Sequence, residues 1–539
     1  MKKKTKQIDL TPEAISEIRE RLMLHKLLES DYEILDSLTA SLLDMIEELN
    51  RKSVSINRLR KMLFGHSTEK TSKVLKKNGN DDNDNVNKKR KPKTREKKIK
   101  GHGRNGADDY TGAEIIRVEH DTLKHGGPCP ECLKGKVYLI KKKPGVHVRI
   151  TGGAPLKGKI YECDCYRCNL CNKIFKAELP KEAGSEKYDE TVASTIGNLK
   201  YGSGLPFNRL EKLQENVGVP IPASTQWEIV DQAGAKLQIA FAELIRSAAQ
   251  GDVIHNDDTP AKIIELMLEN SKKEEELQDT PFRKGIFTTG IISLFNDHKI
   301  ALFFTGRNHA GENLAEVLKQ RESGLDPPIQ MCDALSRNPP KDFKVILAHC
   351  IAHARRKYVD VVNSFPSECK YVLETLKYVY KNDAITKDQK MSPEARLEFH
   401  KKESKPLMDD LHNWCERQFE EKKVEENSSL GHAISYMLDH WKKLTLFLRK
   451  AGAPLDNNIV ERSLKKAILH RKNSLFYKTE NGARVGDIYM SLIHTCNLCC
   501  ANAFEYLTVI QKYYEQVYKN PADWMPWNYK QALLGSGLI

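Results

Sequence analysis

The sequence lacks several features that would assign it to common protein classes. It contains no run of about 18 apolar residues, so we expect no membrane span. The basic start, Met1 to Lys4, is not followed by an apolar stretch of the kind found in signal peptides, so we expect no secretory signal. No GxxxxGK[ST] motif occurs, which argues against an ATP-driven helicase.

What is present is a long, basic chain with an uneven distribution of cysteine. Its 539 residues predict three to five structural units, and a hydrophobic content of 40% is enough to form a sizeable core. There are 87 Lys and Arg against 73 Asp and Glu, a net charge of +14, which favours a polyanionic partner such as nucleic acid. The alternative is a basic enzyme with no nucleic acid partner. Six of the 13 cysteines lie between Cys129 and Cys171, which indicates metal binding in a reducing cytoplasm rather than a disulfide framework.

The first segment, residues 1–77, carries a heptad repeat of apolar residues. Leucine or isoleucine recurs at every seventh position from Leu28 to Leu63. Leu38, Met45 and Leu59 fill the half-steps, which Lys52 interrupts. This spacing predicts a coiled coil and hence a homo-oligomer. The alternative is a helical hairpin packed within its own chain.

A polar linker is predicted at residues 78–115. Its second half, KKRKPKTREKKIKGHGR, holds ten Lys or Arg and one Glu, without apolar periodicity. The segment either contacts DNA phosphates, beginning with Lys88, Lys89 and Arg90, or serves as a solubilising tether.

Residues 116–182 contain two CxxC pairs, CPEC and CNLC. Thiolates two residues apart can reach one tetrahedral zinc ion, so Cys129, Cys132, Cys168 and Cys171 predict a structural Zn²⁺ ribbon. Free thiols are the alternative, and the nearby Cys163 or Cys165 could replace one of the four ligands. KVYLIKKK and VHVRITG are the strands expected between the two pairs.

Residues 183–250 are predicted to be helical. Two helices joined by a Gly/Pro turn would form either a DNA-binding helix-turn-helix or a packing scaffold. Thr225 and Glu228 fit a capping box at the start of the second helix.

From residue 251 the pattern changes to short β-rich runs. Three antiparallel strands, a helix (NLAEVLKQ) and a fourth strand (PIQMCD) predict an RNase H-like α/β core, whose first part spans 251–364. In that fold the first and fourth strands are neighbours. Asp257 and Asp333, at the ends of these strands, would then meet.

A third acid is expected from a later helix. Helices predicted at 365–450 would form an insertion before the last part of the core, 451–494, and a C-terminal element, 495–539. LDNNIVERSLKKAIL begins with Asp456 and Asn457 as candidate caps and carries Glu461 early. Carboxylates bind Mg²⁺ (or Mn²⁺), and two such ions can assist phosphodiester displacement. The alternative, without metal binding, is that each acid is a solvated turn residue or an ion-pair partner.

Several blocks, in order, resemble the insertion-sequence-66 family of bacterial transposases over most of the chain. They are RLRKMLFGHSTEK, CPEC with CNLC, KYGSGLPFNRLEKLQENVGVPIPASTQWEIV, NDDTP, HCIAHARRKYVDV, LDNNIVERSLKKAILHRKNSLF and IYMSLIHTCNLCCANAFEYL. Two positions depart from the family: Asp258 stands where it has Glu, and ALSRN follows Asp333 where it has a Gly-Tyr type continuation.

The resemblance implies a transposase whose catalytic, Mg²⁺-binding residues are Asp257, Asp333 and Glu461. Its partners would be the element's terminal inverted repeats, target DNA and accessory proteins encoded by the same element, in the bacterial cytoplasm at the nucleoid. The candidate DNA-binding residues are Lys88, Lys89, Arg90, Arg355, Arg356, Arg462, Lys465, Arg471 and Lys472. Two other functions stay open: a non-catalytic zinc-containing DNA-binding protein with a decayed core, and a structure-selective nuclease on the same fold.

Overall fold

The fold is described from a computed structural model of the chain. The residues that it describes are 21, 28–29, 31–32, 34–35, 71, 125–127, 134–136, 138, 153–167, 174–176, 178, 180, 183–184, 186–277 and 283–537. The four predicted zinc ligands, the basic linker and most of the heptad repeat lie outside them. The predicted zinc ribbon and coiled coil therefore stay predictions. Among the described residues, no helix combines the length and apolarity needed to cross a membrane.

The chain divides into two compact units. One contains Ile351–Leu455, and the other is built from described residues of Asn85–Cys350 and Asp456–Ile539. The second unit begins with a short antiparallel hairpin, β1 (Cys165–Arg167) and β2 (Ile174–Lys176), which pairs Tyr166 with Phe175. The hairpin strands flank the CNLC segment in the sequence. The predicted strands KVYLIKKK and VHVRITG fall largely outside the described residues.

The helical segment that follows contains three α-helices and a π-helical turn. They are α1 (Glu190–Gly197), the π-helix Asn198–Gly202, α2 (Phe207–Asn216) and α3 (Ala223–Ala249). The predicted capping box at Thr225 is wrong. Pro222, held in an extended conformation, is the N-cap, and the helix begins at Ala223, so Thr225 already lies inside it. Leu237 and Leu244 of α3 are fully buried, which agrees with a scaffold role.

A mixed five-stranded sheet forms the centre of the second unit. Its elements in chain order are β3 (Val253–Pro260), α4 (Ile264–Leu277), β4 (Phe287–Phe295), β5 (His298–Gly306), α5 (Ala310–Leu318), β6 (Ile329–Cys332) and β7 (Ile346–His349). The strand order is β5-β4-β3-β6-β7. β3, β4 and β5 are antiparallel neighbours, and β3, β6 and β7 run parallel. This arrangement is compatible with the predicted RNase H-like core, and the first and fourth strands are neighbours as expected. The fifth strand, β7, was not predicted.

The other unit is helical in its described residues from 351 onward. It contains α6 (Ile351–Val361), α7 (Pro366–Asp388), α8 (Pro393–Glu403), α9 (Lys405–Glu420), α10 (Ser429–Asp439) and α11 (Trp441–Leu444). Tyr358 is fully buried in its core, and the buried Asp383 is paired with Arg396 at 2.6 Å and Lys387 at 2.7 Å. The helices predicted at 365–450 are present.

Five further helices complete the sheet-containing unit. They are α12 (Asn458–Ser474), α13 (Glu480–Leu498), α14 (Ala503–Lys512), α15 (Tyr514–Lys519) and α16 (Tyr529–Gly535). Helix α13 packs along the edge strand β5. Its Thr495 and Ser491 hydroxyls accept hydrogen bonds from the backbone N–H groups of Ala301 and Phe303. Side chains of α13 therefore satisfy donors that an edge strand would otherwise expose.

Candidate active site

Two of the predicted acids lie just past the residues over which β3 and β6 pair, Asp257 within β3 and Asp333 directly after β6. The register of β3 and β6 pairs Ile254 with Gln330 and His255 with Met331. Two residues further along each strand it reaches Asp257 and Asp333. Because side chains two residues apart share a face of a strand, the register sets these two carboxylates beside each other at one end of the sheet.

The third acid comes from a helix that approaches the sheet closely. Asp257 pairs with Gly290 of β4, and Gly290 has no side chain where α12 crosses. A Cβ atom built at Gly290 would lie 2.9 Å from Cδ2 of Leu464 and 3.3 Å from Cγ2 of Val460. Glu461 is in the first turn of α12, next to Val460. The glycine therefore lets the helix come near enough to bring Glu461 to the aspartates.

The three acids interact electrostatically. Burial raises the pKa of Asp257 from its usual 3.8 to about 7. The charges of Asp333 and Glu461 contribute to this rise in pKa, and a hydrogen bond from the Asp258 backbone N–H to Asp257 opposes it. Removal from water and nearby like charges both disfavour the ionised form of Asp257. Carboxylate oxygens from three side chains match the ligand preference of a hard divalent cation such as Mg²⁺.

A buried amide network holds Asp333 in place. Asn256, Gln330 and Asn338 are all 0% exposed. The carbonyl oxygen of Asn338 accepts from Asn256 Nδ2 at 2.9 Å and from Gln330 Nε2 at 2.8 Å. The side-chain amide of Asn338 in turn donates to the Asp333 carboxylate. The ALSRN segment that departs from the family therefore supplies, through its Asn, a direct hydrogen bond to the acid.

A second amide anchors the start of α12. The N-cap Asn457 is 0% exposed, and its side chain makes no capping bond. Its Oδ1 lies 3.0 Å from His255 Nδ1, and its Nδ2 donates to the Asn256 carbonyl at 3.0 Å. Asp456 takes the capping role instead, because its Oδ1 accepts from the Asn458 N–H at 3.1 Å. The beginning of the helix that carries Glu461 is thus bonded to the strand that carries Asp257.

Asp258, the second acid of the NDDTP segment, lies in a different environment from Asp257. Asp258 points to the opposite face of β3, where its carboxylate is 2% exposed. It accepts from Thr289 Oγ1 at 2.7 Å and from the Ala310 N–H, at the first residue of α5, at 3.1 Å. A carboxylate at a helix N-terminus is favourable. Asp258 therefore ties α5 to the sheet.

The predicted cations are distributed over several regions. Arg462, Lys465 and Lys472 are exposed on α12. Arg471 donates to Thr259 Oγ1 and to the Pro260 carbonyl, so it also fixes the end of β3. Arg355 and Arg356 belong to α6 of the helical unit, and Lys88, Lys89 and Arg90 lie outside the described residues.

Sequence reasoning missed the amides. Of these, Gln330 alone interrupts an apolar run, PIQMCD, and that interruption was the available signal. Asn256 and Asn457 are flanked by other polar residues. A buried amide requires partners, so each of them implied a specific tertiary contact.

Comparison with known proteins agrees with these observations. The profile described as "Transposase IS66 family" matches residues 187–485, more than half of the chain. Three curated relatives from Sinorhizobium fredii (strain NBRC 101917 / NGR234) are similar. Uncharacterized protein y4hP is 24% identical over 70% of this chain and 69% of its own length. Uncharacterized protein y4jD is 34% identical over 35% and 37%, and uncharacterized protein y4qI is 25% identical over 64% and 64%. The chain belongs to the IS66 family of transposases.

Proposed function

We propose that this chain cuts DNA at the ends of its own element and joins them to a target, with Asp257, Asp333 and Glu461 as divalent-metal ligands of an RNase H-like core. The proposal rests on the proximity of these three acids. They come from two parallel strands and a helix far along the chain, and burial together with the neighbouring acids raises the pKa of Asp257 to about 7. Family membership supplies the reaction class.

Each part of the site would have its own task. Asp257, Asp333 and Glu461 would hold Mg²⁺ or Mn²⁺ through carboxylate oxygens. When bound, such ions stabilise the attacking and leaving oxygens of a phosphodiester displacement. The amide of Asn338 would orient Asp333, and Asn457 would fix the helix that carries Glu461. Precise placement of this kind matters because metal sites tolerate only small errors in ligand geometry.

The cations would bind the DNA backbone. Arg462 and Lys465 are exposed within one helical turn of Glu461. Positive charge for the DNA phosphates would therefore lie next to the three carboxylates that are proposed to bind metal. The zinc ribbon and the basic linker would add further DNA contacts, and the predicted coiled coil would join copies of the chain.

A non-catalytic DNA-binding protein with a decayed core is the second candidate. The buried amides argue against it. They orient Asp333 and the start of the helix that carries Glu461, and both acids are proposed metal ligands. The two functions differ in one measurable respect, which is cleavage.

The test is strand cleavage and strand joining on a DNA fragment that carries the inverted repeats flanking the gene. Asp257→Asn, Asp333→Asn and Glu461→Gln should each abolish cleavage in Mg²⁺ while DNA binding persists, because each change removes one charge and little volume. The matched control is Asp252→Asn, an exposed acid at the other end of β3. Asp258→Asn is a poor control because it would disturb the start of α5.

Two results would contradict the proposal. If the parent protein binds these ends yet cuts none of them with any divalent metal, the non-catalytic function is correct. If Asp333→Asn cuts as well as the parent, the second acid lies elsewhere.

A further inference from the structure

The end of α12 presents two apolar side chains on a turn with unusual geometry. Leu475 has φ +67° and ψ −47°, and the Phe476 N–H donates to the Ser474 carbonyl at 2.8 Å. This is a γ-turn with positive φ at its central residue, a conformation that is rare and strained for a residue other than glycine. Leu475 is 62% exposed and Phe476 47% exposed. We name Ser474, Leu475 and Phe476 the apolar turn.

The first residue of the apolar turn and the residue before it are held by hydrogen bonds. Lys200, on the π-helix, is only 7% exposed, and its Nζ donates to Ser474 Oγ at 2.8 Å. The side-chain amide of Asn473 donates to the Gly204 carbonyl at 3.1 Å. Two bonds from the KYGSG segment therefore fix the last residues of α12.

The residue after the turn is held equally well. The Tyr477 N–H donates to the Lys262 carbonyl at 2.9 Å, and the Tyr477 carbonyl accepts from the Ile264 N–H at 2.9 Å. The ring of Tyr477 stacks on His470 at 4.8 Å, and His470 stacks on Tyr201 at 5.9 Å. A strained turn persists only where its surroundings determine it, so the two apolar side chains are presented to solvent by a rigid support.

The surface that leads to the turn is basic. Arg462, Lys465, Lys466 and Lys472 are exposed on α12, and within the part of the chain that the structure describes no ion pair involves them. Glu461 is the only acid on the helix. Lys472 lies eleven positions after Glu461, which is about 16 Å of helix. A row of cations of this length, ending in an exposed aromatic ring, has the composition of a surface that binds a nucleic acid backbone and stacks on a base.

We propose that the apolar turn stacks on an unpaired nucleobase of the DNA whose phosphates lie along the basic face of α12. The proposal rests on the proposed DNA-processing function and adds to it a structural requirement on the substrate. A paired base offers its ring faces only to its stacked neighbours, whereas an unpaired base can leave the stack and cover Phe476. The charge of α12 selects nucleic acid over an apolar protein partner.

The experiment uses the full chain and two DNA hairpin probes in EDTA, so that no cleavage occurs. One probe carries a single bulged 2-aminopurine, and the other carries the same base paired with thymine. We expect the parent to bind the bulged probe roughly tenfold more tightly, which is typical of one base stacked on an aromatic ring, and to quench its fluorescence. Phe476→Ala should remove both the preference and the quenching, and Phe476→Trp should retain them.

Three further variants separate stacking from other causes. Lys472→Ala should weaken both probes alike, because a phosphate contact does not sense pairing. Phe504→Ala removes a ring that is 43% exposed outside α12 and should change nothing. Leu475→Gly should leave the melting temperature equal or higher, because glycine accepts positive φ, yet reduce the preference for the bulge.

The outcomes distinguish this inference from the function on which it rests. Equal binding of the two probes by the parent, or full quenching by Phe476→Ala, overturns the stacking proposal and leaves the cleavage test standing. Failure to bind either probe counts against DNA processing as a whole. A lower assembly mass of Phe476→Ala in light scattering would show that the turn contacts a second copy of the chain instead, which also overturns the proposal.

Discussion

The most direct test of the three-acid site needs no DNA. Asp257→Asn should stabilise the metal-free protein at pH 8. Because the folded state keeps the proton of Asp257 up to about pH 7, whereas the unfolded chain releases it near 3.8, the folded state binds more protons between these values. Stability therefore falls as the pH rises through this window, and the full penalty is present above pH 7.

The magnitude follows from the two pKa values. A difference between 3.8 and about 7, at about 1.4 kcal/mol per pKa unit, gives a penalty of at most about 4 kcal/mol at pH 8. Asn carries no charge, and its Oδ1 can still accept the hydrogen bond from the Asp258 N–H. The variant should therefore melt several degrees higher than the parent at pH 8. The stability difference between variant and parent should shrink by more than half at pH 5, because the parent is destabilised less there.

Added Mg²⁺ should offset most of this difference in stability. A cation that binds only the folded state stabilises it by about 2.7 kcal/mol at a concentration of 100 Kd, and the parent retains all three ligands. The measurement is the melting temperature of parent, Asp257→Asn and the control Asp252→Asn, at pH 5 and pH 8, with and without Mg²⁺. If Asp257→Asn is no more stable than the parent at pH 8 without metal, the acids do not form a repelling cluster. An equal gain from Mg²⁺ in parent and variant would place the metal elsewhere.

Three other predictions concern the support of the site and the regions outside the described residues. Gly290→Ala should lower cleavage by roughly a hundredfold with the fold intact, because a displacement of α12 by about 1 Å misplaces a metal ligand. Cleavage at the parental rate, together with a normal circular dichroism spectrum, would show that the close approach of α12 is not needed. Replacing Cys129 and Cys168 together with Ser should remove stoichiometric zinc and weaken DNA binding, and unchanged zinc in metal analysis would mean that other residues are the ligands. Deleting residues 1–66 should lower the oligomeric state in light scattering, and an unchanged number of copies would indicate that the heptad repeat packs within its own chain.

The strands that carry the acids could be predicted because their signals are local. β4 and β5 are apolar runs bounded by turn residues, β3 begins with Val253 and Ile254, and PIQMCD is an apolar run that ends in an acid. β7 was missed because four residues, ILAH, are too few to show a period. The parallel pairing of β3 with β6 followed from the order of elements rather than from any pattern in the two segments.

The supporting amides could not be predicted in the same way. Asn256 and Asn338 lie far apart in the sequence, and their hydrogen bond depends on the parallel register of β3 and β6 and on the path of the loop after Asp333. A buried amide must have a partner, but its neighbours in the sequence do not indicate which one. The same applies to Gly290, whose missing side chain has meaning only once α12 lies over it.

Asp257 and Asp258 illustrate how strand geometry gives adjacent, identical residues different roles. Both are largely removed from solvent, yet consecutive side chains of a strand point to opposite faces. On one face Asp257 meets two other acids, and burial raises its pKa to about 7. On the other face Asp258 meets a threonine hydroxyl and the N-terminus of α5, which satisfy its oxygens. The groups that surround each acid, more than its residue type, therefore distinguish the proposed metal ligand Asp257 from Asp258.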